Sequence, residues 1–174
     1  MLVYFAMNVL ISDNEIRQRV ASLAHEIRRD HPDGVHLICV LKGAFVFLAD
    51  LARQLPATTT LDFLAVSSYG SGSRSSGQVQ VLKDLDSAVE GRDVVIIEDI
   101  VDTGLTLTYL QNIIRARSPR QLRTAALLSK PSRRTVDVRV DYIGFTIEDK
   151  FVVGYGLDYA EQYRNLPYIA VIGD

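Results

Sequence analysis

Two nearly continuous apolar runs, at 35–41 and 94–97, constrain this chain more than any other feature. A strand with one face in water alternates polar and apolar residues. A strand apolar in both phases must be covered on both faces. Each run is followed by a segment of helical periodicity. The first, 44–55, stops at Pro56, which cannot continue a helix. The second opens near Thr103 and carries Leu107, Leu110, Ile113 and Ile114 on one face. Further strands are expected at 60–66, 122–128, 142–145, 151–155 and 169–172. Strand and helix alternating from 35 to 128 predict an α/β fold, a mostly parallel sheet flanked by helices. Upstream, Ser12-Asp13-Asn14-Glu15 is a capping box. It opens a helix over 13–29, with Ile16, Val20, Leu23 and Ile27 at helical spacing, and the stretch 1–11 reads as a short strand or arm. The 174 residues fit a single domain over 1–174, with no internal repeat.

Composition excludes several classes of function. Apolar residues make up 48% of the chain and charged residues 23%, a globular rather than disordered balance. With 19 basic and 21 acidic residues the formal net charge is −2, so no basic field points to nucleic acid. The arginine-rich stretch 115–123 lacks interleaved aromatics and reads as a solvated helix end and loop. Residues 1–11 carry no basic segment and no cleavage signal, and a bilayer span takes about 20 residues. No membrane partner is therefore expected, and the expected location is the cytoplasm. The single cysteine, Cys39, suits a reducing compartment and reads as an inert buried side chain. His25, His31 and His36 lack metal-ligand spacing.

The chemistry concentrates in one stretch, Val94-Val95-Ile96-Ile97-Glu98-Asp99-Ile100-Val101-Asp102-Thr103-Gly104-Leu105-Thr106. Four aliphatics lead into three carboxylates, then a glycine between threonines where a helix begins. The C-terminal edge of a parallel sheet is where α/β proteins bind ligands. A helix N-terminus presents free N–H groups to a phosphate. Vicinal sugar hydroxyls need acceptors, and a magnesium ion takes oxygen ligands from one or two carboxylates plus substrate. Helix capping alone would account for Asp102 or Thr103. It does not account for Glu98-Asp99 directly behind a buried strand. A second unusual segment is 67–77, where every residue except Tyr69 and Arg74 is Gly or Ser. Loops of that length inside a compact domain are usually functional or disordered.

On these residues the chain resembles the type I phosphoribosyltransferases, whose donor is 5-phosphoribosyl-1-diphosphate. Within that family it is most similar to the members that use hypoxanthine and guanine. Asp102 carries the distinction, because adenine and orotate members have the acidic pair but typically a small or hydroxyl residue there. The resemblance implies a small hood built from the N- and C-terminal segments over the sheet. It implies ribose binding by Glu98 and Asp99, with Mg2+ held by Glu98, Asp99 and Asp158. Phosphate and diphosphate would be bound by Lys42, Gly43, Ser68, Tyr69, Asp102, Thr103, Gly104, Leu105, Thr106, Leu107 and Arg164. Ser68-Tyr69 would open a mobile loop that closes over the reaction. Lys130 would hydrogen-bond the purine 6-oxo group, Phe151 would stack on the base, and Val152 and Asp158 would meet its edge. Asp102 would be the catalytic base for N7. Leu105 stands where some relatives have Lys. The implied reaction converts hypoxanthine or guanine and the donor to IMP or GMP plus diphosphate, in a homodimer or homotetramer without nucleic-acid partners. The competing expectations are a xanthine-preferring or broad purine enzyme and a non-catalytic nucleotide-sensing regulator on the same fold. A phosphate-receiving response-regulator domain would instead spread its acids over several strand ends.

Overall fold

The structure, a computed structural model, describes residues 7–68 and 79–173. Six strands form the main sheet: β2 (His36–Leu41), β3 (Thr60–Ser68), β4 (Val79–Lys83), β5 (Asp93–Val101), β6 (Gln121–Ser129) and β7 (Tyr142–Thr146), in the order β4-β3-β2-β5-β6-β7. All neighbours are parallel except β3 and β4. A second sheet has the order β1-β9-β8, from β1 (Met7–Ile11), β9 (Ile169–Ile172) and β8 (Val152–Val153). The two chain ends thus pair antiparallel, Met7 opposite Ile172, and build the expected hood.

Two cores cover the sheet. Helix α1 (Asp13–Asp30) and helix α2 (Phe45–Ala52) bury Ile16, Val20, Leu23, Ile27, Phe47 and Leu51 with Leu37, Cys39, Val95 and Ile97. Hood residues Val152, Tyr155, Leu157 and Ile169 join the same cluster. Helix α3 (Leu105–Arg115) packs Leu107, Leu110 and Ile114 against Ile38, Val40, Val94 and Ile96 on the opposite face. This division is what the uninterrupted apolar runs require. Helix α1 starts at the expected capping box, with Ser12 accepting from the Glu15 backbone and Glu15 reaching back to Ser12 N at 2.8 Å. Its Arg19 donates to the carbonyls of Ile143 and Gly144, tying the helix to edge strand β7.

The order of strands fixes where a ligand can sit. From β2 the chain moves outward to β3 on one side. From β5, on the other side of β2, it moves to β6 and β7. The order therefore reverses between β2 and β5, and the crevice at their C-terminal ends is the natural binding place of an open α/β sheet.

Several boundaries differ from the sequence expectations. Helix α2 ends at Ala52, short of Pro56, because Gln54 N and Leu55 N bond to carbonyls three residues back and tighten the chain into a turn. Strand β4 was not anticipated; it pairs with β3 around the Gly/Ser segment, with Val66 opposite Val81. Strand β8 holds only Val152 and Val153, not 151–155, since Gly154 and Tyr155 have positive φ and break the extended backbone. Helix α3 starts at Leu105 rather than Thr103. Gly104, with φ +89°, occupies the cap, so neither Asp102 nor Thr103 does. Strand β5 runs through to Val101, which puts Glu98 and Asp99 on the strand itself. The arginines of 115–123 are not merely solvated: Arg117, Arg120 and Arg123 pair with Asp84, Asp93 and Asp30.

Candidate active site

The crevice brings together Lys42-Gly43 after β2, the acids of β5 and the segment after β8. Gly43 has no room for a side chain, since a Cβ there would lie 1.6 Å from Asp99 Oδ2. A Cβ on Gly156, with φ +101°, would likewise lie 2.1 Å from the Gly43 carbonyl oxygen. Three separate stretches of chain are thus in direct contact at one point. The peptide bond Leu41–Lys42 is cis.

Alternation along β5 sends Val95 and Ile97 to one core and Val94 and Ile96 to the other. By Ile100 and Val101 the phase has slipped by one residue. The slip falls at Glu98-Asp99. Glu98 and Asp99 are among the residues lining a pocket of about 210 Å³, together with Asp102, Thr103, Gly104, Thr106 and Leu107. Burial drives the Glu98 pKa well above the usual carboxylate range, and the neighbouring charge of Asp99 adds to this. Asp99 is pushed up to about 6 by burial, against the opposing pull of the Ile100 N–H and Arg164. Glu98 makes no side-chain hydrogen bond or ion pair among the described residues. Two adjacent, desolvated carboxylates, of which Glu98 has no partner and Asp99 feels only the field of Arg164, form a costly arrangement. A divalent cation and sugar hydroxyls would relieve it. Among the described residues no three or more His, Cys, Asp or Glu are arranged to hold a metal, so the expected trio Glu98, Asp99 and Asp158 is not assembled as a metal-holding group; an ion there would need substrate oxygens to complete its shell.

Around Arg164 lies a charged cluster. Its Nη1 donates to the Gly156 carbonyl at 2.8 Å, and its Nη2 lies 3.0 Å from Asp158 Oδ1 and 3.3 Å from Glu161 Oε1. Its buried Nε has no acceptor among the described residues. Glu161 Oε2 is 2.7 Å from Lys42 Nζ. Lys42, Asp99, Asp158 and Arg164, read from the sequence as one site, are therefore neighbours. The carboxylate of Asp158 is engaged by Arg164 and by Glu161 N.

The loop between β5 and α3 is held from below by the segment after β6. Lys130 N and Arg134 Nη1 donate to the Val101 carbonyl, Thr135 N to that of Thr103, and Arg134 also to that of Asp102. Gly104 packs against Val136 and Val138. Asp102 is 43% exposed and pairs with Arg133 Nε at 3.1 Å. Lys130 is only 7% exposed, which removes the alternative of a surface lysine, and its Nζ lies 3.4 Å from Asp149. Arg133 Nη1 is 3.7 Å from the same Asp149. Lys130 and Asp102 are thus the ends of one chain of charges, Lys130–Asp149–Arg133–Asp102. Phe151, a core residue by pattern, is 54% exposed and meets Tyr159 edge to face. Val152 is buried in the hood. Ser68 ends β3; its side chain and Tyr69 lie outside the described residues.

Sequence reasoning did not single out Glu161, Asp149, Arg133 or Arg134. Each finds at least one partner far away in sequence, Glu161 at Lys42, Asp149 at Lys130, Arg133 at Asp102 and Arg134 at Val101.

Comparison with known proteins agrees with this geometry. Residues 11–160 match the phosphoribosyl transferase domain, and the chain belongs to that family. Within it, the chain is similar to hypoxanthine-guanine phosphoribosyltransferase of Bacillus subtilis, with 52% identity over 94% of this chain and 92% of the relative. It is 45% identical to hypoxanthine phosphoribosyltransferase of Salmonella typhimurium, over 95% of each chain. A crystal structure of a hypoxanthine-guanine phosphoribosyltransferase from Bacillus anthracis superposes with a TM-score of 0.91 at 45% identity, covering 95% of this chain and 98% of that one. The resemblance read from the motifs is thereby borne out, as is the α/β architecture.

Proposed function

We propose that this chain is a purine-salvage transferase. It moves 5-phosphoribosyl from 5-phosphoribosyl-1-diphosphate to hypoxanthine or guanine, giving IMP or GMP and diphosphate. The observation that carries the reading is the meeting of Lys42-Gly43, Glu98-Asp99 and Arg164 at the switch point of the sheet. The names of relatives covering nearly the whole chain support it. Glu98 and Asp99 accept the ribose hydroxyls, and Mg2+ would be held by one or two of the carboxylates Glu98, Asp99 and Asp158 together with substrate oxygens. Such an ion would supply positive charge to offset that of the departing diphosphate. Lys42 and Arg164 hold the leaving diphosphate, aided by the Gly43 backbone. The 5-phosphate sits on the N–H groups of residues 103–107, where α3 begins.

Lys130 donates to the 6-oxo group, Phe151 stacks on the purine, and Val152 faces its edge. Asp102, exposed at the mouth of α3, takes the N7 proton as N9 attacks C1′. The buried Cys39 fits a reducing compartment such as the cytoplasm, and no helix among the described residues is long and apolar enough to cross a membrane. The test is a coupled assay with adenine, hypoxanthine, guanine and xanthine, each with and without magnesium. Metal-dependent turnover confined to the 6-oxopurines is expected. Turnover of adenine alone, or none, would overturn the reading.

A further inference from the structure

We propose that Glu161 is a built-in competitor for diphosphate, and that it sets how firmly donor and product are held. The inference rests on the assignment of Lys42 and Arg164 to diphosphate. One carboxylate bridges both cations: Oε2 is 2.7 Å from Lys42 Nζ and Oε1 is 3.3 Å from Arg164 Nη2. Two oxygens spanning two cations is the pattern a diphosphate group would make there, with less charge.

The backbone aims the side chain. Ala160 and Glu161 have φ of +50° and +65°, a region L residues seldom adopt. The turn is closed by reciprocal backbone bonds between Tyr159 and Gln162, and Glu161 N donates to Asp158 Oδ2 at 2.8 Å. Asp158 thus anchors both Glu161, through its N–H, and Arg164, through its guanidinium. The lysine and glutamate side chains are 65% and 67% exposed. Ion pairs that open to water are weak and exchange readily. A more highly charged anion can therefore displace Glu161, but it must do so every time. Since donor and product diphosphate meet the same competitor, the effect is one of uniform binding: both are loosened alike.

The experiment is calorimetric titration with inorganic diphosphate, with and without magnesium, of the wild-type chain and of Glu161→Gln. The near-isosteric change removes the competing charge. It should tighten diphosphate about threefold to tenfold and lower the donor KM by a similar factor. Unchanged affinity, or weaker binding by Glu161→Gln, would overturn the proposal; the latter would make Glu161 an organiser of the two cations. Lys42→Ala keeps the two levels of inference apart. If it binds diphosphate like the wild type, the diphosphate site is misplaced and both readings fall. If it binds more weakly while Glu161→Gln is neutral, only the role of Glu161 falls.

Discussion

The two ends of β5 carry the same kind of residue in opposite circumstances. At the N-terminal end Asp93 accepts two bonds from Arg120, at 2.7 and 2.8 Å, and lies 3.2 Å from His31 Nδ1. The Arg120 guanidinium beside it holds its carboxyl below the usual range. At the C-terminal end, some 17–20 Å along the strand, Glu98 and Asp99 are buried and their pKa values are driven up. One end is satisfied by the protein. The other leaves its charge for something else to satisfy. A fold that tolerates such an arrangement at a crevice gives up stability there for binding. Substitutions at the two ends should therefore divide: those at the crevice change activity, and those at the far end change stability.

The largest effect is expected at Asp102. General bases typically contribute about 10²–10⁴-fold, so Asp102→Asn should lower kcat by about a hundredfold or more with donor KM nearly unchanged. Because Gly104 caps α3 and the Arg133 pair is exposed, the melting temperature should hardly move. Steady-state kinetics beside a thermal melt checks both halves. Wild-type turnover would place the base elsewhere. Next comes Lys130→Ala. A charged hydrogen bond contributes about 1.5–3 kcal/mol, which corresponds to roughly 10- to 150-fold in kcat/KM for hypoxanthine. A loss below about threefold, in a Michaelis series, would return Lys130 to a structural partner of Asp149.

Glu98→Gln bears on the comparison most directly. Replacing a buried carboxyl that lacks a partner by a neutral amide should stabilise the fold by about 1 kcal/mol, or about 2–4 °C in Tm for a chain of this size. Donor affinity should fall about tenfold, since an amide is a poorer acceptor for ribose hydroxyls and metal. Calorimetry with the donor and a thermal melt read the two effects. Loss of stability would mean that Glu98 is satisfied within the fold, and the contrast between the strand ends would fail.

How much of this was legible in the sequence follows the same division. The parallel sheet was readable because strands buried on both faces have no polar phase. The acid pair was readable because helix capping could not explain carboxylates directly behind such a strand. Lys42 and Gly43 were readable only as part of a series of motifs; that Gly43 must lack a side chain because Asp99 lies against its Cα is a fact of packing. Strand β4 was hidden because Val79–Lys83 is short, half solvated and next to the Gly/Ser segment. Glu161, Asp149, Arg133 and Arg134 were hidden for another reason. Apart from the local contacts of Glu161 with Asp158 and Arg164 and of Arg134 with Ser129, their side-chain partners lie 16 to 119 residues away, and surface-type charged residues show no periodicity that would mark them.

The smallest effect is expected at the far end of β5. Asp93→Asn removes the carboxylate that Arg120 and His31 share. Arg120 is 72% exposed, so solvent screens its part of the pair. The loss should be about 1 kcal/mol or less, close to 2–4 °C in Tm, with kcat and donor KM unchanged. The pH dependence has a definite sign. The folded pKa of Asp93 is depressed, so its contribution is present above the unfolded carboxylate value, near 3.9, and is lost as pH falls through the lower folded value. Wild type and Asp93→Asn should therefore differ in stability at neutral pH and converge in acid. Melts at a series of pH values measure this. A constant gap down to low pH would show that Asp93 acts through packing, whereas a change in donor KM would show that the two ends of the strand are coupled.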